Sequence, residues 1–123
     1  MTVLADTSVW IDHWRRGNPQ LAQRLEDGAV LIHPFVLGEI ALGQVTSRAE
    51  VLADLATLES PRVAEHDEVL ALIERSRLWG RGIGWVDAHL LASALLDRIR
   101  LWTLDAPLAR VARELGVVAL DSA

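Results

Sequence analysis

The chain has 123 residues, a hydrophobic fraction of 51%, 17 acidic against 12 basic side chains, a net charge of −5 and no cysteine. These values fit one domain spanning 1–123 that buries roughly two thirds of the surface its unfolded form exposes, and they exclude a disordered chain, disulfides and thiolate metal sites. Any nucleic-acid partner has to be held by a local basic patch against an acidic whole, and because all 12 cations are arginine, mechanisms that need a lysine are excluded. No basic segment followed by an apolar leader precedes Asp6, and the run from Leu90 to Leu96 is broken by Ser93 and too short to cross a bilayer. A soluble, cytoplasmic protein is expected.

In chain order, Val3 to Ala5 reads as a buried strand that stops at Asp6-Thr7-Ser8, the start of a helix running to Arg16 and ended by Gly17. Trp10 and Trp14 lie four apart on one face of that helix. Asn18-Pro19 opens a second helix, with Leu21, Ala22 and Leu25 on its apolar face and Gly28 at its end. Ala29 to Ile32 is a second buried strand, followed by an almost wholly apolar helix from Phe35 to Gln44 that carries one acid, Glu39. Ser47-Arg48-Ala49-Glu50 has the form of a capping box opening a helix to about Leu58. A weak strand follows at Pro61 to Ala64. Asp67 is the expected cap of a long helix with Val69, Leu72, Ile73 and Trp79 on its apolar stripe, broken by the loop Gly80 to Gly84. Val86 to Arg98 is helical, Leu101 to Leu104 a strand, Asp105-Ala106-Pro107 a cap and first turn, Leu108 to Leu115 a helix and Val117 to Leu120 a last strand. Strands alternating with helices through short connections indicate a parallel sheet with helices on both faces.

Four acids stand out. Asp6 and Asp105 each end an apolar strand and begin a helix, which places both along one edge of the sheet, where open α/β sheets bind ligands. Capping alone would also explain an Asp at such a position. Asp87 lies about 200° around its helix from His89, whose stripe with Ser93 and Asp97 reads as the solvated face, so Asp87 is expected to point toward the protein. Glu39 has Phe35, Val36, Leu42 and Gly43 as helical neighbours and no cation among them. If it is buried, it needs a partner or a metal, because a lone buried carboxylate costs several kcal/mol. Four ionised acids in one crevice repel, each pair by about 4 kcal/mol at about 4 Å and an effective dielectric near 20. Either one acid keeps its proton or the set holds a hard cation, and an all-oxygen set suits Mg²⁺ or Mn²⁺ better than zinc.

Taken as an ordered set, Asp6-Thr7-Ser8-Val9-Trp10-Ile11-Asp12, Glu39, Ile83-Gly84-Trp85-Val86-Asp87-Ala88 and Leu101-Trp102-Thr103-Leu104-Asp105 resemble the PIN-domain ribonucleases, above all the VapC toxins of bacterial toxin-antitoxin pairs. The likeness runs over essentially the whole chain. It implies a three-layer α/β/α sandwich around a five-stranded parallel sheet, Mg²⁺- or Mn²⁺-dependent cleavage of RNA, a homodimer, and inhibition by a VapB-like antitoxin. Carried over by position, Asp6, Glu39, Asp87 and Asp105 form the catalytic and metal-binding quartet, with Ser8 and Thr103 as polar helpers. Asp6 and Asp87 are then the expected direct ligands. Asp105 completes the site directly or through water, and Glu39 holds a water or acts as base.

RNA would be held by arginine, whose planar fork suits phosphate. The candidates are Arg15, Arg16 and Arg81, with Arg75 and Arg77 nearby in sequence. Trp10 and Trp14 fit base stacking, but also a core contact, a dimer seam or an antitoxin groove, and the four histidines show no ligand spacing and read as structural. Two other readings compete: a phosphoacceptor receiver, which relies on a lysine this chain lacks, and a non-catalytic interaction module of the same fold.

Overall fold

The computed structural model describes residues 1–122. Three short strands, β1 (Val3–Ala5), β2 (Val30–Leu31) and β3 (Arg100–Trp102), form a parallel sheet in the order β2-β1-β3. Val3 and Leu4 pair with Val30 and Leu31 on one side, and Val3, Leu4 and Ala5 with Arg100, Leu101 and Trp102 on the other. The chain leaves β1 toward β2 and later returns to β1's opposite side as β3, so the winding reverses at the carboxyl end of β1. All three residues of β1 are fully buried, as a central strand covered on both faces requires.

Seven helices surround this sheet among the described residues: α1 (Thr7–Arg16), α2 (Pro19–Glu26), α3 (Pro34–Leu42), α4 (Arg48–Leu55), α5 (His66–Ser76), α6 (Trp85–Asp97) and α7 (Ala106–Glu114). Their ends follow local chemistry. The Asn18 side chain caps α2 by accepting from Leu21 N–H at 3.0 Å, with Pro19 as the first helical residue, and Gly17 ends α1 at φ +77°, a conformation glycine adopts without strain. α1 packs on β1, α2 and α3, while α6 packs on β3 with α5 against it.

The parallel α/β architecture is the expected one; the strand count is not. Of the five strands anticipated, the described residues form three. Pro61 to Ala64 adds no strand; instead Ile32 N–H, just past β2, donates to Glu59 O. The anticipated strand at Val117 to Leu120 is reduced to one parallel bridge between Leu101 and Val118. Other expectations fail at helix ends. Ser47 makes no side-chain cap and sits at φ 54°, so the anticipated capping box is absent. Glu65, not Asp67, precedes α5, and its N–H donates to Glu68 Oε1 at 2.8 Å. That helix stops at Ser76, before Trp79, which is 61% exposed rather than part of an apolar stripe.

Candidate active site

Asp6 caps α1, and its carboxylate also takes hydrogen bonds that capping does not require. Its backbone is extended, its N–H continues the β1 to β3 pairing by donating to Trp102 O, and its carboxylate accepts from Val9 N–H at the start of α1. Two hydroxyls complete its shell, Ser8 Oγ donating to Oδ1 and Thr103 Oγ1 to Oδ2, both at 2.5 Å. Each hydroxyl also accepts a backbone N–H from the loop after β3. Leu104 N–H donates to Ser8 Oγ at 2.9 Å, and Asp105 N–H to Thr103 Oγ1 at 3.0 Å. Thr103 is fully buried, and this relay fixes the ends of the two adjacent strands to each other. Burial pushes the Asp6 carboxyl above its ordinary value and the Asp87 charge adds to this, while the two hydroxyls and Val9 N–H pull the other way.

Asp87 lies in the first turn of α6, where its Oδ2 accepts from Gly84 N–H at 2.9 Å. It is half-buried, and burial raises its pKa, with the charges of Asp105 and Glu39 adding to the rise. Asp87 is thus the electrostatic hub, since its charge bears on Asp6 and those of Asp105 and Glu39 bear on it. The premise that located it fails, however. His89 and Ser93, read as a solvated stripe, are 4% and 0% exposed, because α6 is buried all round from Ala88 to Ala94.

Glu39 is exposed, so the buried lone carboxylate considered above is not what the fold contains. Its partner is Thr7, the residue after Asp6, whose Oγ1 donates to Glu39 Oε1 at 2.9 Å. Asp105 is also exposed and caps α7 through Leu108 N–H at 3.1 Å. Three helix N-termini, those of α1, α6 and α7, therefore present their positive ends to the region that carries Asp6, Asp87 and Asp105.

Among the described residues no three acids or imidazoles converge into a ready-made metal cage. The donor chemistry nevertheless fits a hard divalent ion. Every group is oxygen, two carboxylates are raised by burial with a smaller contribution from neighbouring acids, and Mg²⁺ keeps several waters while binding through only one or two carboxylates.

A cleft of about 470 Å³ opens beside Thr7 and Glu39, lined also by Trp14, Arg15 and Val45, and a second of about 380 Å³ by Ser8, Arg15, Arg16 and Leu104. Arg15 lines both. Arg16 is engaged by Asp12 at 2.7 Å and Arg81 by Glu114 at 2.6 Å. Trp10, only 2% exposed, is core and has no free face for a base; its ring lies 6.1 Å from that of Trp14.

A cluster of rings escaped the sequence reading. His33, which follows β2 and caps α3 by accepting Phe35 N–H at its Nδ1, meets Phe35 at 4.9 Å and His89 at 6.2 Å. His89 in turn meets Phe35 at 4.6 Å and Trp85 at 4.8 Å, and Trp85 meets His66 at 5.1 Å. Burial holds the His33 imidazole down at about 4 and lowers that of His89. Spacing joins only Trp85 and His89, four apart on α6, and nothing in the sequence ties that pair to His33, Phe35 or His66.

A sheet that reverses its winding at an acid-bearing strand end, with further acids brought in by flanking helices, defines an α/β domain of the PIN class. The model of the PIN domain family matches residues 3–114, and the chain belongs to that family. Within it the chain is VapC-like. It is 49% identical over 120 residues, covering 97% of both chains, to Ribonuclease VapC32 of Mycobacterium tuberculosis strain CDC 1551 / Oshkosh, and equally to Ribonuclease VapC32 of strain ATCC 25618 / H37Rv.

Proposed function

We propose that this chain, acting as one domain over 1–123, is a Mg²⁺- or Mn²⁺-dependent endoribonuclease and the toxin of a toxin-antitoxin pair, working in the cytoplasm. The observation that carries the reading is the coupling of Asp6, Glu39, Asp105 and Asp87 around one strand end, with no lysine in the chain to neutralise them. The relatives' name supplies the nuclease activity, and a VapB-like antitoxin is the partner it suggests.

Asp6 and Asp87 would hold the ion, Asp105 would complete the site directly or through water, and Ser8 and Thr103 keep the Asp6 carboxylate in one orientation. When bound, the ion would neutralise charge on the phosphate and make water a stronger nucleophile. Glu39, whose Oε1 accepts from Thr7, would hold a water through Oε2 or act as the base. Arg15, which lines both clefts, would hold the RNA backbone bidentately. Arg16 and Arg81 would contribute only after leaving their acidic partners.

Asp6→Asn and Asp87→Asn should each abolish Mg²⁺-dependent cleavage of RNA while the protein stays folded. Cleavage at the parental rate by either variant overturns the assignment. Metal titration separates a non-catalytic module of the same fold, which would bind Mn²⁺ no better than its Asp6→Asn variant. The dimer expected of this chain is tested by light scattering, where a monomer at micromolar concentration refutes it.

A further inference from the structure

The three strands end in a row on one edge of the sheet. His33 follows β2, Asp6 follows β1 and Thr103 follows β3. Acids and rings share this edge: Phe35 and Glu39 lie on α3, which follows β2, while Trp85, Asp87 and His89 lie on α6, which packs on β3. Besides the exposed His66, two members of the cluster reach the surface, Phe35 at 37% exposure and Trp85 at 40%. Both pack against the buried ring of His89, Phe35 at 64° and Trp85 at 83° between ring planes, so they are clamped through edge contacts rather than by stacking. His33 fixes Phe35 in the same way, at 66°. The two rings thus present partly exposed aromatic faces in fixed orientations.

Their positions in sequence tie them to the acids. Phe35 precedes Glu39 by one helical turn on the same face of α3, and Trp85 opens the turn of α6 that carries Asp87. Beneath the rings two ring nitrogens, His33 Nε2 and His89 Nδ1, are buried without a hydrogen-bond partner. Because His33 Nδ1 accepts Phe35 N–H, the proton of the neutral His33 ring sits on Nε2, a donor with nothing to donate to. Those nitrogens are enclosed, so what a ligand would meet is the pair of clamped rings, whose faces suit a flat aromatic ligand better than an aliphatic one.

We infer that Phe35 and Trp85 form a stacking platform for an unpaired nucleobase of the RNA whose phosphate lies at the four acids. The inference rests on the ribonuclease reading and adds to it the two residues on which a base would lie. A base in a duplex is already stacked on its neighbours and cannot lie on either ring, whereas an unstacked base can use any π-face, whatever its identity.

The test measures binding rather than turnover. In an Asp87→Asn background with Mg²⁺ present, the Kd of a fluorescein-labelled oligoadenylate is read by anisotropy beside that of the same strand in a duplex. Trp85→Leu, which keeps apolar bulk but removes the π-face, should weaken the single strand roughly five- to a hundredfold and leave the duplex within about twofold. Trp85→Phe should recover most of the loss. Phe35→Leu removes the other ring and serves if Trp85→Leu fails to fold by circular dichroism. The inference is overturned if the Leu variants bind the single strand within about twofold of their background. It is equally overturned if they lose single strand and duplex alike, or if they change only the oligomeric state, which would mark the rings as a protein contact. Failure of the unsubstituted chain to cleave RNA would refute the ribonuclease reading by a different measurement.

Discussion

Replacing Thr103 by Val tests the hydroxyl relay at the centre of the site. The side chain is fully buried, donates to Asp6 Oδ2 and accepts from Asp105 N–H. Losing a hydrogen bond to a charged group costs about 1.5–3 kcal/mol, and stranding a backbone N–H about 1–3 kcal/mol, at the low end here because Asp105 is exposed and water can reach it. The added buried methyl returns about 1 kcal/mol. The net expectation is about 2–3 kcal/mol of destabilisation at pH 7, read from urea unfolding in EDTA. The sign of the pH dependence follows from Asp6, whose carboxyl is already raised above 3.8 by burial. Without the Thr103 donor it rises further, and a folded-state pKa above the unfolded one means that stability returns as pH falls through it. The deficit of Thr103→Val should therefore shrink toward pH 4, while Thr103→Ser stays near the parent throughout. A deficit of the same size at both pH values, or none at either, refutes the idea that the relay holds a charged Asp6.

Asp87→Asn keeps an acceptor for Gly84 N–H and removes the charge at the hub, so in EDTA at pH 7 it should be more stable by on the order of 1 kcal/mol, an advantage that fades as pH drops through the raised carboxyl pKa. Saturating Mn²⁺ should raise the Tm of the parent and not of this variant, since linkage at a hundred times Kd supplies about 2.7 kcal/mol; differential scanning fluorimetry reads both. Arg15→Gln should weaken RNA binding and lower the salt slope by about 0.7, whereas Arg81→Gln, already engaged by Glu114, should change neither. Buried His33, held at about 4, must be charged by acid, so stability should fall from pH 6.5 downward and level off near pH 4, by roughly 3 kcal/mol in all. His33→Asn, which retains a capping side chain, should flatten that slope in acid titrations followed by circular dichroism, and an unchanged slope would place the acid sensitivity elsewhere.

What could be read in advance was what local chemistry decides. Asp6, Asn18 and Asp105 announce helix starts because a short polar side chain is the natural acceptor for an orphan N–H, and the apolar triplets before Asp6 and near Leu101 announce buried parallel strands. What could not be read depended on distant partners. A strand exists only when another lies beside it, and neither Pro61 to Ala64 nor Val117 to Leu120 finds more than isolated pairing. Likewise His89 and Ser93 are polar by type, but what surrounds α6 decides that they are buried. Glu39 shows the converse: an apolar helix does not bury its single acid, and the contact that orients it, Thr7, lies 32 residues away. Asp6, Asp87 and Asp105 stood out in the sequence as acids at element ends, whereas the ring cluster beside them was divided among β2's end, α3, α5 and α6 with no repeat to reveal it.

Ser122 takes over where the sheet runs out. Its Oγ accepts from Thr103 N–H at 3.0 Å and donates to Leu101 O, while the neighbouring Asp121 receives Trp102 Nε1 on its carbonyl and Arg24 on its carboxylate. A side chain thereby substitutes for a missing backbone edge, directly behind the threonine that grips Asp6. Removing Asp121 and Ser122 would therefore slacken the support behind Asp6, even though neither residue touches that carboxylate.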